Sequence, residues 1–311
     1  MRSPSEAPLT LAVIGLGAAG RRHARLLARD HPRVRLVLAG RRSDRPERPV
    51  SGSRVVRHDD ALADARVDAV LIATPPRTHL PLALDALRAG KHVIVEKPAF
   101  LDTGELERAR EAADQAGRRL LVAENYPYKP LAARLRTIVA EQLVGEPVLL
   151  LVDAVKHQPA TGWRAEVGAL LEGGIHWISL MSSLGVPVDA AHVQRAGAAS
   201  GPDRSTVCTL TYQQGMAGVL TYSWQVPSPL RGVRLSHLYG TGGTATFESN
   251  GGIVALRGRR RRIWPLDPRD PSGSRAMWRD LLGALRDDRA PRYDLDHAAR
   301  DLALVEGGLR R

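Results

Sequence analysis

The sequence feature that most constrains the fold is a glycine-rich turn that follows an apolar run near the N-terminus. Residues 11–14 are uninterrupted apolar residues, which predicts a buried strand because the polar alternation of a half-exposed strand is missing. Gly15, Gly17 and Gly20 follow in the spacing G-x-G-x-x-G, and residues 18–27 have the pattern of a helix. In such a turn the first glycine makes the bend, the second lets a pyrophosphate approach the backbone, and the third lets the helix pack on the strand. We therefore predict a dinucleotide site over this turn, whose remaining members are Leu16, Ala18 and Ala19.

A regular alternation of strand and helix patterns continues from this turn to residue 123. Apolar runs at 33–40, 68–74, 92–96 and 119–123 predict further strands, with helical spacing in the segments 80–89 and 102–116. Strands that alternate with helices over short loops form a parallel, doubly wound sheet. We therefore predict an α/β protein whose residues 1–123 form a Rossmann domain that binds NAD(P).

The pattern changes over residues 124–311, for which we predict a second domain of the α+β class. Residues 131–144 are predicted to form a connecting helix, and strand-like runs separated by glycine turns occupy residues 193–265. Such closely spaced runs are typical of a mostly antiparallel sheet. A length of 311 residues suits two domains of this kind.

Composition limits the compartment and the partners. The single cysteine, Cys208, excludes an internal disulfide framework, and the sequence has neither an apolar signal core nor an apolar run long enough to cross a membrane. We therefore expect a cytoplasmic protein without a membrane partner. The net charge of +12 would ordinarily point to nucleic acid, but only four of the 45 basic residues are lysines. So large an excess of arginine indicates a biased coding composition, and we do not expect nucleic-acid binding.

Arg41, Arg42 and Ser43 stand where the second strand ends, about twenty residues after the glycine turn. An NAD site usually has a carboxylate there, which binds the ribose 2′-hydroxyl. Guanidinium groups and a hydroxyl instead suit a 2′-phosphate. We predict that NADP(H) is favoured over NAD(H), although a solvated arginine-rich loop would have the same sequence.

Glu96, Lys97 and Pro98 end a central strand at its carboxyl edge, where ligands bind in parallel sheets. A lysine at this position can hold a cofactor ribose and donate to a substrate oxygen. A surface lysine before a proline turn is the alternative. We favour the functional interpretation because the chain has only four lysines.

Four motifs carry a resemblance to a known family. They are Gly-Leu-Gly-Ala-Ala-Gly at 15–20, Ala-Thr-Pro-Pro-Arg-Thr-His at 73–79, Ala-Gly-Lys-His-Val-Ile-Val-Glu-Lys-Pro at 89–98 and Ala-Leu-Leu-Glu-Gly-Gly-Ile-His at 169–176. Together they resemble the Gfo/Idh/MocA oxidoreductases, a family that includes glucose–fructose oxidoreductase and inositol dehydrogenase. The resemblance covers nearly the whole chain. It implies a Rossmann domain followed by a domain with an open-faced, mostly antiparallel sheet that serves the substrate and oligomerisation.

The resemblance also implies site residues. Lys97 corresponds to the family lysine that contacts cofactor and substrate, and Glu172 and His176 correspond to a D-x-x-x-H pair that assists proton transfer. A further family aspartate is replaced by Ser179. Additional cofactor contacts are expected from Thr74, Pro75, Pro76, His79, Glu96 and Asn125. Substrate contacts are expected from Tyr126, Trp163, Arg164 and His176.

The spacing of Glu172 and His176 agrees with that expectation. Residues at i and i+4 share one helix face, so the carboxylate could orient the imidazole, although most such pairs are surface pairs. Gly173 and Gly174 between them allow a close approach to a bound ring. We therefore predict Lys97, His176 and Glu172 as the catalytic residues.

These observations predict an oxidoreductase with NADP(H) as cofactor and without a metal. The expected partner is a small molecule with a hydroxyl or carbonyl group, such as a sugar or cyclitol, and an imine is also feasible. The alternative is a cofactor-binding transcriptional regulator of the same fold without catalysis. Residues 257–262, five of them arginines, fit a solvated edge strand or, as the alternative, a phosphate-bearing ligand. We expect a homo-oligomer formed through the C-terminal sheet.

Overall fold

The computed structural model describes residues 8–40, 50, 53–197, 201–228, 232–259 and 261–309. The chain folds as two compact units. The first comprises Met1–Ala123 and Met277–Ala298, and the second comprises Glu124–Ala276 and Ala299–Arg311. The sequence analysis divided the chain once, after residue 123. It therefore assigned the returning segment Met277–Ala298 to the second domain, whereas the structure assigns that segment to the first unit.

The first unit contains a six-stranded sheet in which every neighbouring pair is parallel. Its strands are β1 (Leu9–Ile14), β2 (Val34–Ala39), β3 (Arg54–Val56), β4 (Ala69–Ile72), β5 (His92–Glu96) and β6 (Leu120–Ala123). The spatial order is β3-β2-β1-β4-β5-β6, so the strand order reverses between β1 and β4. In such sheets, ligands bind outside the carboxyl ends of the strands at this reversal. The predicted doubly wound sheet is confirmed, and β3 adds a short edge strand that the sequence analysis did not predict.

Capping residues in the sequence set helix boundaries in the first unit. The helices are α1 (Ala18–Asp30), α2 (His58–Ala63), α3 (His79–Arg88) and α4 (Thr103–Ala116). Asp102 caps α4 by accepting a hydrogen bond from the Glu105 N–H at 2.7 Å, and Gly117 ends the helix in the left-handed region at φ +59°. The central strands between the helices are fully buried, as their unbroken apolar runs require.

The second unit contains an eight-stranded, mostly antiparallel sheet. Its strands are β7 (Pro147–Val155), β8 (Val188–Arg195), β9 (Ser205–Tyr212), β10 (Ala217–Ser223), β11 (Leu235–Gly240), β12 (Gly243–Glu248), β13 (Ile253–Gly258) and β14 (Arg261–Pro265). They lie in the order β14-β13-β12-β11-β7-β10-β9-β8, and only β7 and β10 pair in parallel. Burial alternates along β9 and β10, so one face of the sheet forms the core and the other remains partly exposed. The predicted fold class of this part is confirmed.

The helices α5 (Pro130–Ala140) and α6 (Ile175–Ser182) lie wholly in the second unit. Most of α7 (Ser274–Arg286) lies in the segment that returns to the first unit, and most of α8 (Leu295–Leu309) lies in the second unit. A five-residue π-helical turn, Leu170–Gly174, leads directly into α6. Among the helices described, none combines the length and the apolar character needed to cross a membrane.

Candidate functional site

The glycine turn of the first unit has the geometry that a bound pyrophosphate needs. Gly15 has φ +98°, and a Cβ there would lie 2.7 Å from the carbonyl group of Ala73. A Cβ on Gly20 would collide with the Gly15 carbonyl oxygen, whereas a Cβ on Gly17 would have no atom within 4 Å. Gly15 and Gly20 are therefore required by the protein's own packing, and Gly17 keeps a space open. Gly17 also caps α1 without a side-chain hydrogen bond, so the first-turn N–H groups of α1 remain suitable for phosphate oxygens. These residues fit a dinucleotide.

The loop that follows β4 lies beside this turn. Thr74 is half-buried, Pro75 is exposed and Pro76 is buried. His79 is buried, with Nε2 2.8 Å from the Thr74 carbonyl oxygen and Nδ1 3.0 Å from the Ala99 carbonyl oxygen. Burial lowers the pKa of His79, while these carbonyl oxygens act in the opposite direction. Because both ring nitrogens face backbone oxygens, we interpret His79 as a residue that positions the loops after β4 and β5.

Glu96 at the end of β5 is also engaged by the protein itself. The indole Nε1 of Trp278 donates to His23 Nδ1 at 2.9 Å, and His23 Nε2 lies 2.6 Å from Glu96 Oε1. Because an indole N–H can only donate, Nδ1 accepts, and Nε2 carries the proton that it donates to Glu96. Glu96 Oε2 accepts from the Lys97 N–H at 2.8 Å. The carboxylate thus positions the backbone of Lys97, which is half-buried at the carboxyl end of the strand.

The environment of Glu96 keeps it ionised. Burial alone would raise its pKa, but the hydrogen bond from His23, with the charges of Lys97 and Arg22, outweighs burial and lowers it to about 2. A buried negative charge is therefore present beside the backbone of Lys97 at neutral pH.

Arg41, Arg42 and Ser43, the predicted 2′-phosphate ligands, lie outside the described residues. The strand before them, β2, ends at Ala39 as the sequence analysis requires.

The second unit contains an acid–base pair formed by His176 and Glu124. His176 Nδ1 lies 2.7 Å from Glu124 Oε1 and 2.8 Å from Oε2. Glu124 follows β6 directly, is buried, and also accepts from the Tyr126 N–H at 2.9 Å. A carboxylate that accepts a hydrogen bond from an imidazole N–H stabilises the imidazolium form of that ring. The pair can therefore accept and return a proton.

Aromatic rings hold the imidazole in place. The Tyr126 ring stacks on His176 with centroids 4.4 Å apart and an interplanar angle of 11°, and meets the Trp177 ring edge-on at 5.0 Å. Burial, assisted by the charge of Glu124, raises the pKa of Tyr126 to about 12. The tyrosine is therefore a neutral phenol at physiological pH.

A buried lysine adjoins the same rings. The Nζ of Lys129 lies 4.4 Å from the Tyr126 ring centroid and 5.7 Å from that of Trp177. Burial and the charge of Arg234 lower the pKa of Lys129 to about 8, against the opposing charges of Glu248 and Glu124. We name Glu124, Tyr126, Lys129, His176 and Trp177 the His176 cluster.

The π-helical turn before α6 brings the backbone against the sheet. A Cβ on Gly173 would collide with the Tyr222 hydroxyl, and one on Gly174 would lie 2.6 Å from the Leu170 side chain. The two glycines therefore permit close packing of the helix that carries His176. Helices widened in this way occur often at functional sites.

Glu172 belongs to the same π-helical turn, and its side chain accepts a hydrogen bond from Arg164. Arg164 Nε donates to Glu172 Oε1 at 3.2 Å, and the Arg164 guanidinium lies 5.1 Å from the Trp163 ring centroid. The sequence analysis gave Glu172 the task of orienting His176, and this stays a prediction. The structure adds a second carboxylate, Glu124, at His176 Nδ1.

Two other positions have local roles. The Asn125 side-chain amide donates to the Ser272 carbonyl oxygen at 2.6 Å. Ser179 is fully buried, and its hydroxyl donates to the His176 carbonyl oxygen at 2.8 Å, within the helix. The serine therefore satisfies its own hydrogen bond without a neighbouring carboxylate.

The structure thus sorts the predicted substrate residues of the second unit into two contacts, Tyr126 with His176 and Trp163 with Arg164 and Glu172. Sequence reasoning missed Glu124 and Lys129. The available signal was a carboxylate directly after a wholly apolar strand, and one of only four lysines just beyond it. Among the described residues, no three His, Cys, Asp or Glu side chains converge as a metal site would need.

Comparison with known families matches both units. Residues 9–124 match a family described as "Oxidoreductase family, NAD-binding Rossmann fold". Residues 132–246 match a family described as "GFO/IDH/MocA C-terminal domain".

Individual relatives agree with these matches. The chain is 30% identical to UDP-N-acetylglucosamine 3-dehydrogenase from Acidithiobacillus ferrooxidans, over 72% of this chain and 69% of that protein. It is 35% identical to an inositol 2-dehydrogenase from Rubrobacter xylanophilus, over 48% of this chain and 44% of that protein. With several such curated relatives, the match spans about half of their length. The crystal structure of GenD2 from gentamicin A biosynthesis, in complex with NAD, is similar with a TM-score of 0.80 at 26% identity, covering 100% of this chain and 95% of GenD2.

Proposed function

The chain belongs to the Gfo/Idh/MocA family of oxidoreductases, and from that premise we propose that it transfers a hydride between a nicotinamide dinucleotide and a small metabolite. The reacting group is a hydroxyl or carbonyl of a sugar, cyclitol or related compound, with an imine as a feasible acceptor. The observation that carries the proposal is the hydrogen bond between His176, which stacks on Tyr126, and the buried carboxylate of Glu124. Hydride transfer to or from such a group requires a proton to move at its oxygen or nitrogen, and this pair can move one.

The residues of the chain have separate tasks in this proposal. The N–H groups of the glycine turn bind the pyrophosphate, and Lys97 contacts the cofactor ribose and the substrate oxygen. His176 exchanges a proton with the substrate while Glu124 stabilises its charged form. The dinucleotide, when bound, supplies or accepts the hydride. A regulator without catalysis would not need the His176–Glu124 pair, which favours the enzyme.

The test is turnover with a panel of ketoses, inosones and imines, followed by the oxidation of NADPH or NADH. With a substrate identified, we expect Lys97→Met and His176→Ala each to lower kcat by about 10²–10⁴-fold, since each removes a positioned acid–base group. Lys156→Met, which removes an exposed lysine, is the matched control and should retain the parent rate. Parent-level turnover by Lys97→Met would contradict the assignment. Dinucleotide binding without turnover of any compound would favour the regulator.

We further propose that NADP(H) is preferred, on the basis of Arg41, Arg42 and Ser43. Guanidinium groups bind a 2′-phosphate well, and no acidic residue directly follows the second strand to bind a 2′-hydroxyl. Replacement of Gly40 by Asp together with Arg41→Ala should reverse the preference. Equal affinity of the parent for NADPH and NADH, measured by fluorescence titration, would refute it.

Homo-oligomerisation through the second sheet is a further part of the proposal. The partly exposed face of this sheet carries Tyr239 of β11 and Ile263 of β14, with exposed fractions of 36% and 66%. Apolar side chains on an open sheet face favour association. Light scattering after size-exclusion chromatography tests it, and a monomer at micromolar concentration would contradict it.

A further inference from the structure

The His176 cluster contains a cation whose surroundings do not satisfy it. The Lys129 side chain is buried against Tyr126 and Trp177. In the part of the chain that the structure describes, no oxygen accepts a hydrogen bond from its ammonium. Cation–π contacts compensate only part of the hydration that a buried ammonium loses.

A second buried cation, Arg234, lies next to the turn at residues 249–251, which the side chain of Lys129 also approaches. It immediately precedes β11, donates from Nη2 to Asn250 Oδ1, and accepts a backbone hydrogen bond from the Ser249 N–H at 2.8 Å. A Cβ placed on Gly251 of that turn would lie 3.6 Å from Lys129 Cε. Both cationic side chains therefore converge on residues 249–251, and Arg234 is close enough for its charge to act on Lys129 and Tyr126.

Arg234 also retains a donor. Its Nε is buried and has no hydrogen-bond partner among the described residues. Buried guanidinium groups normally use their planar set of donors on carboxylates or phosphates. The remaining donor, together with the ammonium of Lys129, points to a ligand with several acceptor oxygens.

The carboxylates nearby are already engaged. Glu124 accepts from His176 and from the Tyr126 N–H. Glu248 accepts from the Asn250 N–H and side-chain amide through Oε1, at 3.0 and 2.8 Å, and from the Gly252 N–H through Oε2 at 3.3 Å. Their charges reach Lys129, but their hydrogen bonds go to other groups.

We propose that Lys129 and Arg234 bind an anionic group of the substrate, a carboxylate or a phosphate, beside the imidazole of His176. The proposal deepens the function proposed above and depends on it. A buried ammonium without an acceptor, beside a guanidinium whose Nε has no partner among the described residues, costs free energy, which an oxyanion supplied by the ligand would recover. The substrate class is therefore an acidic or phosphorylated sugar-like compound rather than a neutral polyol.

The presence of only four lysines makes a direct test possible. With ¹³C-labelled lysine, the full-length protein should give four sets of Hε–Cε NMR signals, and Lys129→Met identifies that of Lys129. The probes are D-glucuronate, D-glucose 6-phosphate and inorganic phosphate, with D-glucose and sodium chloride at equal ionic strength as controls. We expect at least one anion to shift the Lys129 signal saturably and to raise its pKa from about 8. Charged groups of Arg234, Glu124 and Glu248 surround this ammonium, so the parent and each variant are titrated over the same pH range.

Variants separate recognition from general charge. Arg234→Gln should lower the affinity for the anion by at least about tenfold, because a charge-assisted hydrogen bond is lost. Lys156→Met removes one exposed positive charge from the same unit and should leave the affinity unchanged. If Arg234→Gln fails to fold, Arg234→Lys keeps the charge without the planar donors and should still weaken binding.

The outcomes are distinct. A response to glucuronate alone identifies a carboxylate ligand, and a response to the phosphates identifies a phosphate. A Lys129 signal that ignores all three anions, or that responds equally to D-glucose, would overturn the inference. NADPH binding, followed in parallel by nucleotide fluorescence, shows whether the proposed function itself has failed.

Discussion

Two imidazoles, those of His23 and His176, each hydrogen-bond a buried glutamate, yet their surroundings give them different roles. His23 uses Nδ1 to accept from Trp278 and Nε2 to donate to Glu96, so both of its nitrogens are occupied inside the first unit. His176 donates from Nδ1 to Glu124 and stacks on Tyr126, with 15% of its side chain exposed. We interpret His23 as a residue that positions its neighbours, and His176 as the group that exchanges a proton in the proposed reaction, with Glu124 stabilising its charged form.

At this scale we expect Glu124 to matter more for turnover than Glu172. Glu124→Gln keeps an acceptor for His176 Nδ1 but removes the charge that stabilises the imidazolium, so kcat should fall. Glu172→Gln should lose less, because the carboxylate at His176 Nδ1 is Glu124, and Glu172 accepts from the half-exposed Arg164. Steady-state kinetics with the identified substrate measure the order, and Glu141→Gln on the surface is the control. A larger loss for Glu172→Gln than for Glu124→Gln would reverse our assignment.

A second residue-scale expectation concerns acid stability. Glu96 has a folded-state pKa of about 2, below its ordinary value of 4.5. Its ionised form therefore stabilises the fold above about pH 4.5, and this stabilisation is lost as the pH falls from there towards about 2. The shift corresponds to roughly 3 kcal/mol at neutral pH.

We expect Glu96→Gln to lower the thermal midpoint at pH 7 and to flatten its decrease in acid. Thermal unfolding from about pH 7 to about pH 3 tests this, with Glu111→Gln, an exposed position of α4, as the control. A variant whose midpoint falls with acid as steeply as the parent's would show that another carboxylate causes the loss.

At the scale of elements, the turn between β1 and α1 shows how packing and binding divide three glycines. Gly15 and Gly20 are fixed by contacts within the protein, and Gly17 faces open space. Gly17 has φ −69°, which any residue can adopt, so conformation alone does not require glycine there. The remaining reason for that glycine is the close approach of a ligand.

Substitutions of Gly17 and Gly20 should therefore affect different properties, the first dinucleotide binding and the second stability. Gly17→Ala should leave the thermal midpoint close to the parent value but weaken the binding of NADPH and NADH, because its methyl group would occupy the pyrophosphate position. Gly20→Ala should lower the midpoint, since its methyl group would collide with the Gly15 carbonyl oxygen. Titration calorimetry measures the dinucleotide affinity, and differential scanning calorimetry measures the thermal midpoint. Unchanged dinucleotide affinity in a folded Gly17→Ala variant would argue against a dinucleotide at this turn.

At the scale of the whole molecule, the net positive charge is largely independent of the candidate functional site. The net charge of +12 comes mainly from arginines, among them the run on β13 and β14, both at or near one edge of the second sheet. Charged side chains at a sheet edge oppose pairing with other chains. The arginine run therefore has a structural explanation at the edge of this sheet.

We accordingly expect weak and nonspecific DNA binding. Counterion release makes such binding fall steeply with salt, and neutral sequence changes in the DNA should not alter it. Fluorescence anisotropy with two unrelated duplexes at about 50 and 200 mM salt provides the measurement. A tight, sequence-selective complex at the higher salt would instead revive the interpretation as a regulator.

Local chemistry in the sequence determined the sheet of the first unit and its glycine turn. Apolar runs buried on both faces, a helix ended by Gly117, and three spaced glycines allowed a parallel, doubly wound sheet and the dinucleotide turn to be predicted. The edge strands β3 and β8 escaped prediction. They are short or mixed in polarity, and pairing with a neighbour rather than their own pattern makes them strands.

Only the tertiary structure decided which groups meet. Glu124 and His176 are 52 residues apart, and His23 and Trp278 are 255 apart, so sequence spacing contains no signal for either contact. The same holds for Lys129 and Arg234, which converge on one turn from separate elements. Periodicity reports what lies along one helix or strand, and i, i+4 spacing therefore favoured Glu172 as the partner of His176. The fold of the second unit places Glu124 at His176 Nδ1, because a side chain's partner is set by distance in space.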